Sequence, residues 1–273
     1  MTAVKDMPEI PLLYGSPLDH SITSPKKWID GLRKTGKLEV SSLPKLCILT
    51  FPYMKAERLL SSLSYRMEKI NLTSGKTYTF KYKGKPTCLS QVGIGSPMAG
   101  AELEILLTLG VEYTILIGGV GVLDCNIPRW TIIVPDKAVR DEGTSYHYEK
   151  PSTYTFPSLK LSQTIKEVLR ERELRFVEGA VWTTDAPFRE TAKKRRTFMN
   201  SGAICVDMEA SALFSIARFH SKELAAVFYA GDCVGEEDWN LRIEKNHEEK
   251  RRRITLKLLE VSLEALHRVS SEK

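Results

Sequence analysis

Two acidic residues lie inside one of the most apolar stretches of the chain. The segment AICVDMEASALFSIARF, residues 203–219, contains Asp207 and Glu209 among mostly aliphatic and aromatic side chains. Burying an unpaired carboxylate is costly, so a buried one is usually paired, protonated or used in a site. The pattern therefore predicts a specific role for Glu209 on the apolar side of this element.

A further acidic residue, Asp232, ends the apolar run LAAVFYAGD, residues 224–232. This run is typical of a buried strand, which places Asp232 at the carboxyl end of that strand. There it could cap the segment that follows. It could also act as a general acid, because partly apolar surroundings raise the pKa of a carboxyl towards the range that acid catalysis near neutrality needs.

Two glycine-rich turns could bind an anion through backbone N–H groups. VGIGSPMAG, residues 92–100, follows a predicted strand and opens a helix at Gly95 and Ser96, and IGGVG, residues 117–121, ends another strand around Gly119. Such turns suit phosphate or ribosyl groups, although a purely structural turn has the same pattern. The spacing GxGxxxxG differs from the dinucleotide fingerprint, so no nicotinamide cofactor is expected.

Two polar loops follow other predicted strands. TTDAPFRE, residues 183–190, places Phe188 and Arg189 beside a helix start, where they could hold a planar ring by stacking and hydrogen bonding. Packing of Phe188 in the core is the alternative. RDEGTSYHY, residues 140–148, begins with Arg140 and is rich in hydrogen-bonding side chains, although a surface turn would also fit.

The charge and composition restrict the class of protein. The chain has 273 residues, a net charge of +6 and two basic runs, KKRR at 193–196 and KRRR at 250–253. Each run adjoins acidic residues and indicates a solvated helix face or a site for a phosphate-bearing ligand. Without interleaved aromatic residues they predict no nucleic-acid partner. No apolar run is long enough to span a bilayer, and the acidic, proline-interrupted N-terminus is unlike a secretory signal, so we expect a cytoplasmic protein.

The cysteines and histidines predict neither a disulfide nor a metal site. The five cysteines form no C-x-x-C pair and favour buried free thiols. The five histidines are dispersed without ligand spacing. The cysteines are Cys47, Cys88, Cys125, Cys205 and Cys233.

Apolar runs and amphipathic segments alternate along the chain. This order predicts a single α/β domain over residues 45–273, with a mixed, mostly parallel central sheet flanked by helices, preceded by an irregular arm over residues 1–44. Strands are predicted at 45–51, 112–123, 130–139, 178–184 and 224–232, with a hairpin at 76–93. Helices are predicted at 55–69, 96–110, 159–174, 189–200, 207–220 and 240–268.

In this order the motifs resemble the nucleoside phosphorylase-I family, which includes purine nucleoside and uridine phosphorylases, methylthioadenosine nucleosidase and AMP nucleosidase. The resemblance covers most of residues 45–268, and VDMEASALF, residues 206–214, is its most specific part. RDEGTSYHY and the arm segment IPLLYGSPLDHSITSP are most similar to a uridine phosphorylase-like subgroup.

The resemblance implies roles for the acidic residues and for the loop after residue 183. Met208 and Glu209 would hold the ribose, and Asp232 would protonate the leaving base. Phe188 would stack on the base, and Arg189 or Glu190 would read its edge.

The phosphate site that the resemblance implies departs from the family pattern. Phosphorylases of this family usually carry an arginine and a Ser or Thr where this chain has Leu116 and Gly119. The usual glycine loop and arginine after the first strand are replaced by LTFPYMKAER, residues 49–58, which offers Lys55 or Arg58. Contacts to an anion would then come from Lys55, Arg140, Gly119 and the Gly95–Ser96 turn.

Three functions remain open at this point. The first is a pentosyltransferase that cleaves a nucleoside with phosphate as co-substrate and no cofactor, with a purine favoured by Asp232. The second is a nucleosidase of AMP-nucleosidase type, or a uridine phosphorylase; the third is a catalytically silent nucleoside-binding protein. The family also implies a homo-oligomer, dimer or hexamer, in which His20 or Arg66 could serve a neighbouring subunit's site.

Overall fold

A computed structural model describes residues 10–72 and 75–271. Within these ranges, eleven strands form one mixed sheet, and seven α-helices pack against it. The strands are β1 (Leu46–Thr50), β2 (Glu68–Asn71), β3 (Lys76–Tyr82), β4 (Lys85–Gln91), β5 (Tyr113–Val122), β6 (Ile132–Asp141), β7 (Tyr154–Thr155), β8 (Phe176–Thr184), β9 (Ala203–Asp207), β10 (Glu223–Val234) and β11 (Trp239–Asn240). The helices are α1 (Pro25–Lys34), α2 (Ala56–Ser62), α3 (Ser96–Thr108), α4 (Leu159–Glu171), α5 (Ala192–Asn200), α6 (Ala210–Phe219) and α7 (His247–Val269).

Five strands of the sheet close into a ring. β5 pairs with β10, β10 with β6, β6 with β8, β8 with β9, and β9 returns to β5. Four of the other strands extend from β5 through β1 and β4 to the edge hairpin of β3 and β2, whereas β7 pairs with β6 and β11 with β10. Because β5 and β10 run parallel, their carboxyl ends meet at one rim of the ring. Single-domain α/β architecture with a mixed sheet is thus as the sequence predicts.

Alternate residues of the central strands pack into two separate cores. Ile48 of β1 and Ile115 of β5 join the core under α2, α4 and α7. Leu49 and Leu116, their neighbours in sequence, belong to the core under α3 and α6. This alternation is the period of two that a strand buried on both faces requires. The sheet is therefore covered by helices on both sides, which leaves the strand ends as the place for a cleft.

The expectation of an irregular N-terminal arm is wrong for residues 25–34, which form α1. Ser24 caps this helix by accepting a hydrogen bond from the Lys27 N–H at 3.2 Å, and Pro25 occupies the first turn. Ser-Pro before a helical segment is a recognisable start signal. Residues 1–9 of the arm lie outside the described residues.

The predicted helix over 55–69 is also wrong in its second half. α2 ends at Ser62, and Ser64 adopts a left-handed φ of 58° that a helix cannot continue through. The following residues instead form β2, which pairs antiparallel with β3. Similarly, α7 begins at His247 rather than at 240, because Trp239 and Asn240 form β11 against the end of β10.

The prediction that all five cysteines are free is wrong for two of them. Cys125 and Cys233 form a disulfide with their Cα atoms 5.6 Å apart, whereas Cys47, Cys88 and Cys205 are buried free thiols as expected. The partners are 108 residues apart, so their spacing in the sequence gives no sign of the pairing. No helix in the described ranges is long and apolar enough to cross a membrane.

Replacing both disulfide cysteines by serine should lower the free energy of unfolding by about 2–5 kcal/mol, because the bridge closes a long loop in the unfolded chain. Urea unfolding of the wild-type protein and the double variant, with and without reductant, measures the difference. Thiol titration of the unfolded, unreduced protein should find three thiols, the number of free cysteines. Five thiols would contradict the bridge.

Candidate active site

A cavity of about 460 Å³ opens at the rim of the strand ring. It collects residues from the ends of β5, β9 and β10, from the loops after β1, β4 and β8, and from β11. Six of the residues to which the sequence analysis gave a site role line it: Gly119, Phe188, Glu190, Met208, Glu209 and Asp232. Phe51, Tyr53 and Trp239 add aromatic surface. The cavity thus has the mixture of apolar walls and few polar groups that is typical of small-molecule sites.

Glu209 is buried, with 6% of its surface exposed, at the turn between β9 and α6. Its Oε1 accepts a hydrogen bond of 2.6 Å from the Gly95 N–H, at the turn that precedes α3. Gly95 has a φ of 96°, a conformation that favours glycine. Burial, and secondarily the nearby Asp207, raise the pKa of the Glu209 carboxyl. One hydrogen bond leaves most of the acceptor capacity of this group for a ligand.

Asp207 has a structural explanation. Its carboxylate accepts hydrogen bonds of 2.7 Å from the Ala210 N–H and from the Thr183 hydroxyl, so it caps the start of α6 and ties it to β8. Burial raises the pKa of Asp207, and the Thr183 and Ala210 donors act in the opposite direction. Asp207 therefore fixes the turn that carries Met208 and Glu209 into the cavity.

Asp232 reaches the cavity because β10 is irregular at its carboxyl end. The pairing of β10 with β5 shifts register between Ala230 and Cys233, a bulge that re-aims the side chain between them. Trp239 of β11 donates a 2.6 Å hydrogen bond from its indole Nε1–H to the Asp232 Oδ2. The sequence analysis did not identify Trp239; a tryptophan in the polar segment GEEDWN is the signal that could have found it.

The mouth of the cavity is aromatic. The rings of Phe188 and Trp239 meet edge to face with centroids 6.3 Å apart, and Phe188 is 84% exposed. An aromatic ring with so much free surface is not core packing, which was the alternative for Phe188. Beside it, burial and then the charge of Asp232 raise the pKa of Glu190 to about 7. Arg189, by contrast, is exposed and does not line the cavity.

The backbone groups expected to bind phosphate are engaged within the protein. The Gly95 N–H is bonded to Glu209, and the Ser96 hydroxyl donates to the Met208 carbonyl at 2.7 Å. The Gly119 N–H donates to the Tyr53 hydroxyl at 3.1 Å. These contacts hold the glycine turns against the Met208–Glu209 turn, so an anion would have to displace Tyr53 to reach Gly119.

Arg140 does not bind a ligand in this structure, which corrects the expectation from the sequence. It is 4% exposed, and its guanidinium donates to the hydroxyls of Ser145 and Ser152 and to two backbone carbonyls. The neighbouring Glu142 accepts a 2.8 Å bond from the Ser211 hydroxyl on α6. The loop over 140–148 therefore supports α6 from behind.

The cavity has no cationic side chain among its lining residues within the described ranges. Lys55 lies outside it, in an adjacent pocket. A side chain at position 119 is also excluded, because a Cβ there would lie 2.6 Å from the Tyr229 ring. The space that the family pattern gives to a Ser or Thr is thus filled by tyrosine.

Comparisons with known proteins agree with this geometry. The model of the family described as "Phosphorylase superfamily" matches residues 50–264. A uridine phosphorylase from Thermococcus kodakarensis is 30% identical over 111 residues, 41% of this chain and 40% of that protein. A guanosine phosphorylase from Halorubrum lacusprofundi is 24% identical over 52% of this chain and 59% of its own length. These matches span about half of the relatives' length.

Solved structures share the fold over nearly the whole chain. A uridine phosphorylase from Vibrio fischeri ES114 has a TM-score of 0.72 at 21% identity and covers 86% of this chain and 95% of its own. An AMP nucleosidase from Bacteroides thetaiotaomicron has a TM-score of 0.69 at 18% identity, with coverage of 91% and 98%. Proteins named as a phosphorylase and as a nucleosidase thus both share this fold.

The buried carboxyls should make the protein less stable as pH rises. Because the pKa values of Asp207 and Glu209 are raised by folding, the folded chain binds more protons than the unfolded chain above the ordinary carboxyl range. Stability then falls with increasing pH through that window. The urea concentration at the midpoint of unfolding should fall between about pH 5 and about pH 8, and we expect this fall to be smaller in Glu209→Gln than in the wild type. The exposed Glu237→Gln is the control, and equal slopes for Glu209→Gln and the wild type would contradict the account.

Proposed function

The chain belongs to the phosphorylase superfamily, and we propose that it cleaves the N-glycosidic bond of a purine nucleoside with inorganic phosphate as the attacking group. The observation that carries the proposal is that Glu209 and Asp232 face one cavity between an apolar floor and an aromatic mouth. A nucleoside has the complementary parts: two vicinal hydroxyls, a planar base and a scissile bond between them.

Glu209 would bind the ribose. An ionised carboxylate can accept hydrogen bonds from both vicinal hydroxyls, and such charge-assisted bonds are strong. As the C1′–N bond breaks, the sugar acquires positive charge. This positive charge favours the ionised form of Glu209, whose pKa burial raises, so the carboxylate stabilises the transition state more than the ground state. Met208, which also lines the cavity, would pack against the sugar.

Asp232 would act as the general acid on the base. In the proposed step the C1′–N bond breaks with its electron pair leaving on the base, Asp232 gives a proton to the imidazole nitrogen, and a phosphate oxygen forms the new bond to C1′. The products are the free base and ribose 1-phosphate. Trp239 would orient the carboxyl through its indole N–H, since this bond occupies one oxygen and leaves the other for the proton.

Phe188 and Trp239 would enclose the base, with Glu190 reading its edge. The two rings stand at the mouth of the cavity, next to Glu190 and Asp232. A purine is favoured because its imidazole ring offers a nitrogen for protonation by Asp232. No cofactor takes part in this scheme, and phosphate is the co-substrate.

Hydrolysis is the second candidate, and a specific observation favours it. No Lys or Arg in the described ranges lines the cavity, and Tyr53 occupies the Gly119 N–H that an anion would use. An AMP nucleosidase is among the structural neighbours. Phosphorolysis remains our first proposal because relatives of both base classes are named phosphorylases.

We further propose that the protein works as a homo-oligomer. Leu18, Ile22 and Trp28 of the N-terminal arm are exposed apolar side chains on one continuous segment, which is typical of a surface covered by another subunit. His20 lies in the same segment and lines a pocket with Tyr148 and His220. Arg66 is exposed at the other end of the sheet, before β2.

The proposed activity is tested by the release of free base from inosine, adenosine, guanosine, uridine and AMP, each with and without phosphate. Release that requires phosphate and yields ribose 1-phosphate supports phosphorolysis, and the substrate panel identifies the base. Release without phosphate supports the nucleosidase. Binding of nucleosides with no release from any of them would show a silent nucleoside-binding protein and contradict both.

Replacing Asp232 by Asn should lower kcat about 10²–10⁴-fold, the usual size of general acid catalysis, while the Trp239 N–H keeps an acceptor. The matched control is Asp136→Asn, at an exposed position of β6 outside this cavity. Unchanged turnover on the best purine substrate would remove Asp232 from the mechanism.

The pH dependence of KM should identify what Glu190 contacts, because its pKa of about 7 places its titration within the working range. An ionised Glu190 accepts from the N1–H of hypoxanthine, whereas the protonated form donates to N1 of adenine. Between about pH 6 and about pH 8, KM should fall for inosine and rise for adenosine. Glu190→Gln should abolish both trends, and flat profiles in the wild type would exclude this role.

A further inference from the structure

A second pocket, of about 290 Å³, adjoins the candidate active site. Tyr53 lines both, so its ring is the partition between them. We call this second space the cationic pocket, after the residues that line it. These are Tyr53, Met54, Lys55, Arg58, Leu59, Glu248, Glu249, Arg251, Arg252 and Thr255.

The cationic pocket carries unneutralised positive charge. Arg251 is paired with Glu248 at 2.6 and 2.7 Å, and Glu249 is paired at 3.3 Å with Arg253, which does not line the pocket. Lys55, Arg58 and Arg252 form no ion pair with any described residue. Three cations are therefore left around a space large enough for a small anion.

The KRRR run over 250–253 divides between two environments. Lys250 pairs with Glu244, and Arg253 pairs with Glu249, as expected of a solvated helix face. Arg251 and Arg252 instead line the cationic pocket together with residues of α2 and the loop before it. The KRRR run therefore contributes two residues to a solvated face and two to the lining of the cationic pocket.

The fold holds these like charges together. Leu59 of α2 and Thr255 of α7 are both buried beside the pocket, so the packing of these helices keeps the basic residues of α2 and α7 side by side. The guanidinium of Arg251 lies 5.8 Å from the centre of the Tyr53 ring. Lys55, Arg58 and Arg252 are exposed, so their side chains are free to form charge-assisted hydrogen bonds with an anion in the pocket.

The partition between the two spaces is itself polar. The Tyr53 hydroxyl accepts from the Gly119 N–H, and the Tyr229 ring lies directly over Gly119. Tyr229 is 5% exposed, so the partition is closely packed on the side of Gly119.

We propose that the cationic pocket binds a phosphate group, either inorganic phosphate or the phosphate ester of a nucleotide. Guanidinium groups recognise phosphate oxygens through pairs of N–H donors, and this pocket offers Arg58 and Arg252, unpaired within the described ranges, together with Lys55. The link to the reaction rests on the proposed function, because it makes the bound group either the attacking phosphate or part of the substrate. The binding itself does not depend on catalysis.

The test compares Arg58→Ala/Arg252→Ala with Lys69→Ala/Lys257→Ala. The control pair removes the same charge at exposed positions outside the pocket. Calorimetric titration with inorganic phosphate, at ionic strength held constant with chloride, should give a Kd at least about tenfold higher in the first variant than in the wild type. The control should stay within about twofold. Absence of phosphate binding to the wild type, or an equal Kd in all three proteins, would overturn the proposal.

Steady-state kinetics of the same proteins distinguish the two sources of phosphate. If the pocket takes inorganic phosphate, the KM for phosphate rises in Arg58→Ala/Arg252→Ala while the KM for the nucleoside is unchanged. If it takes the ester, the KM for AMP rises while that for adenosine is unchanged. Either pattern supports the pocket as a phosphate site, and wild-type values for all three constants would contradict it.

Failure of this proposal and failure of the proposed function give different results. If the variant loses phosphate binding but no base is released from any substrate, the phosphate pocket is supported and the proposed reaction is contradicted. If base is released by a protein that does not bind phosphate or AMP through these arginines, the proposed reaction is supported and the phosphate pocket is contradicted.

Discussion

A buried carboxylate at the rim of a closed ring of strands is the constraint on which this site depends. Glu209 is almost completely removed from water, and one of its oxygens accepts a hydrogen bond from the Gly95 N–H. Such a group is tolerated only where the surrounding backbone is fixed. Asp207 caps α6 beneath it, and the glycine turn before α3 approaches it from the opposite side. Three segments therefore act together to hold Glu209 in place: the glycine turn, the β9–α6 turn and the loop over 140–148.

Two tyrosine side chains close the floor of the candidate active site. Tyr229 covers Gly119, and Tyr53 bonds to its N–H, so the place where the family pattern has a hydroxyl side chain is occupied by phenols. Behind Tyr53 lies the surplus of positive charge that the cavity lacks. One aromatic ring, that of Tyr53, thus lies between these cations and the cavity that contains Glu209, so the opposite charges do not pair with each other.

Local sequence patterns predicted the parts of the site that a single segment determines. VDMEASALF and the end of LAAVFYAGD led to Glu209 and Asp232, and both line the cavity, because a carboxylate in an apolar run or at a strand end is visible in the sequence itself. Asp232 nevertheless needs the bulge in β10 to point inwards, which no spacing predicts. Arg140 was assigned to an anion because its loop is polar, whereas in the structure its guanidinium makes four hydrogen bonds within that loop.

Features that join distant segments could not be predicted. The disulfide links residues 108 positions apart, and Trp239 meets Asp232 only because β11 folds back on β10. The cationic pocket requires α2 and α7 to pack side by side although most of the chain lies between them. In each case the residues can be read from the sequence, but only the folded sheet brings them close together.

The central claim is that Glu209 is the acceptor for the ribose hydroxyls, and its most direct test is a thermodynamic cycle of binding. The Kd values of inosine and 2′-deoxyinosine would be measured for the wild-type protein and for Glu209→Gln. The account predicts that the wild type prefers inosine by about tenfold or more. The variant should lose most of this preference, because it has no carboxylate to accept a hydrogen bond from the 2′-hydroxyl. An equal preference in both proteins would contradict it and return Glu209 to a purely structural role.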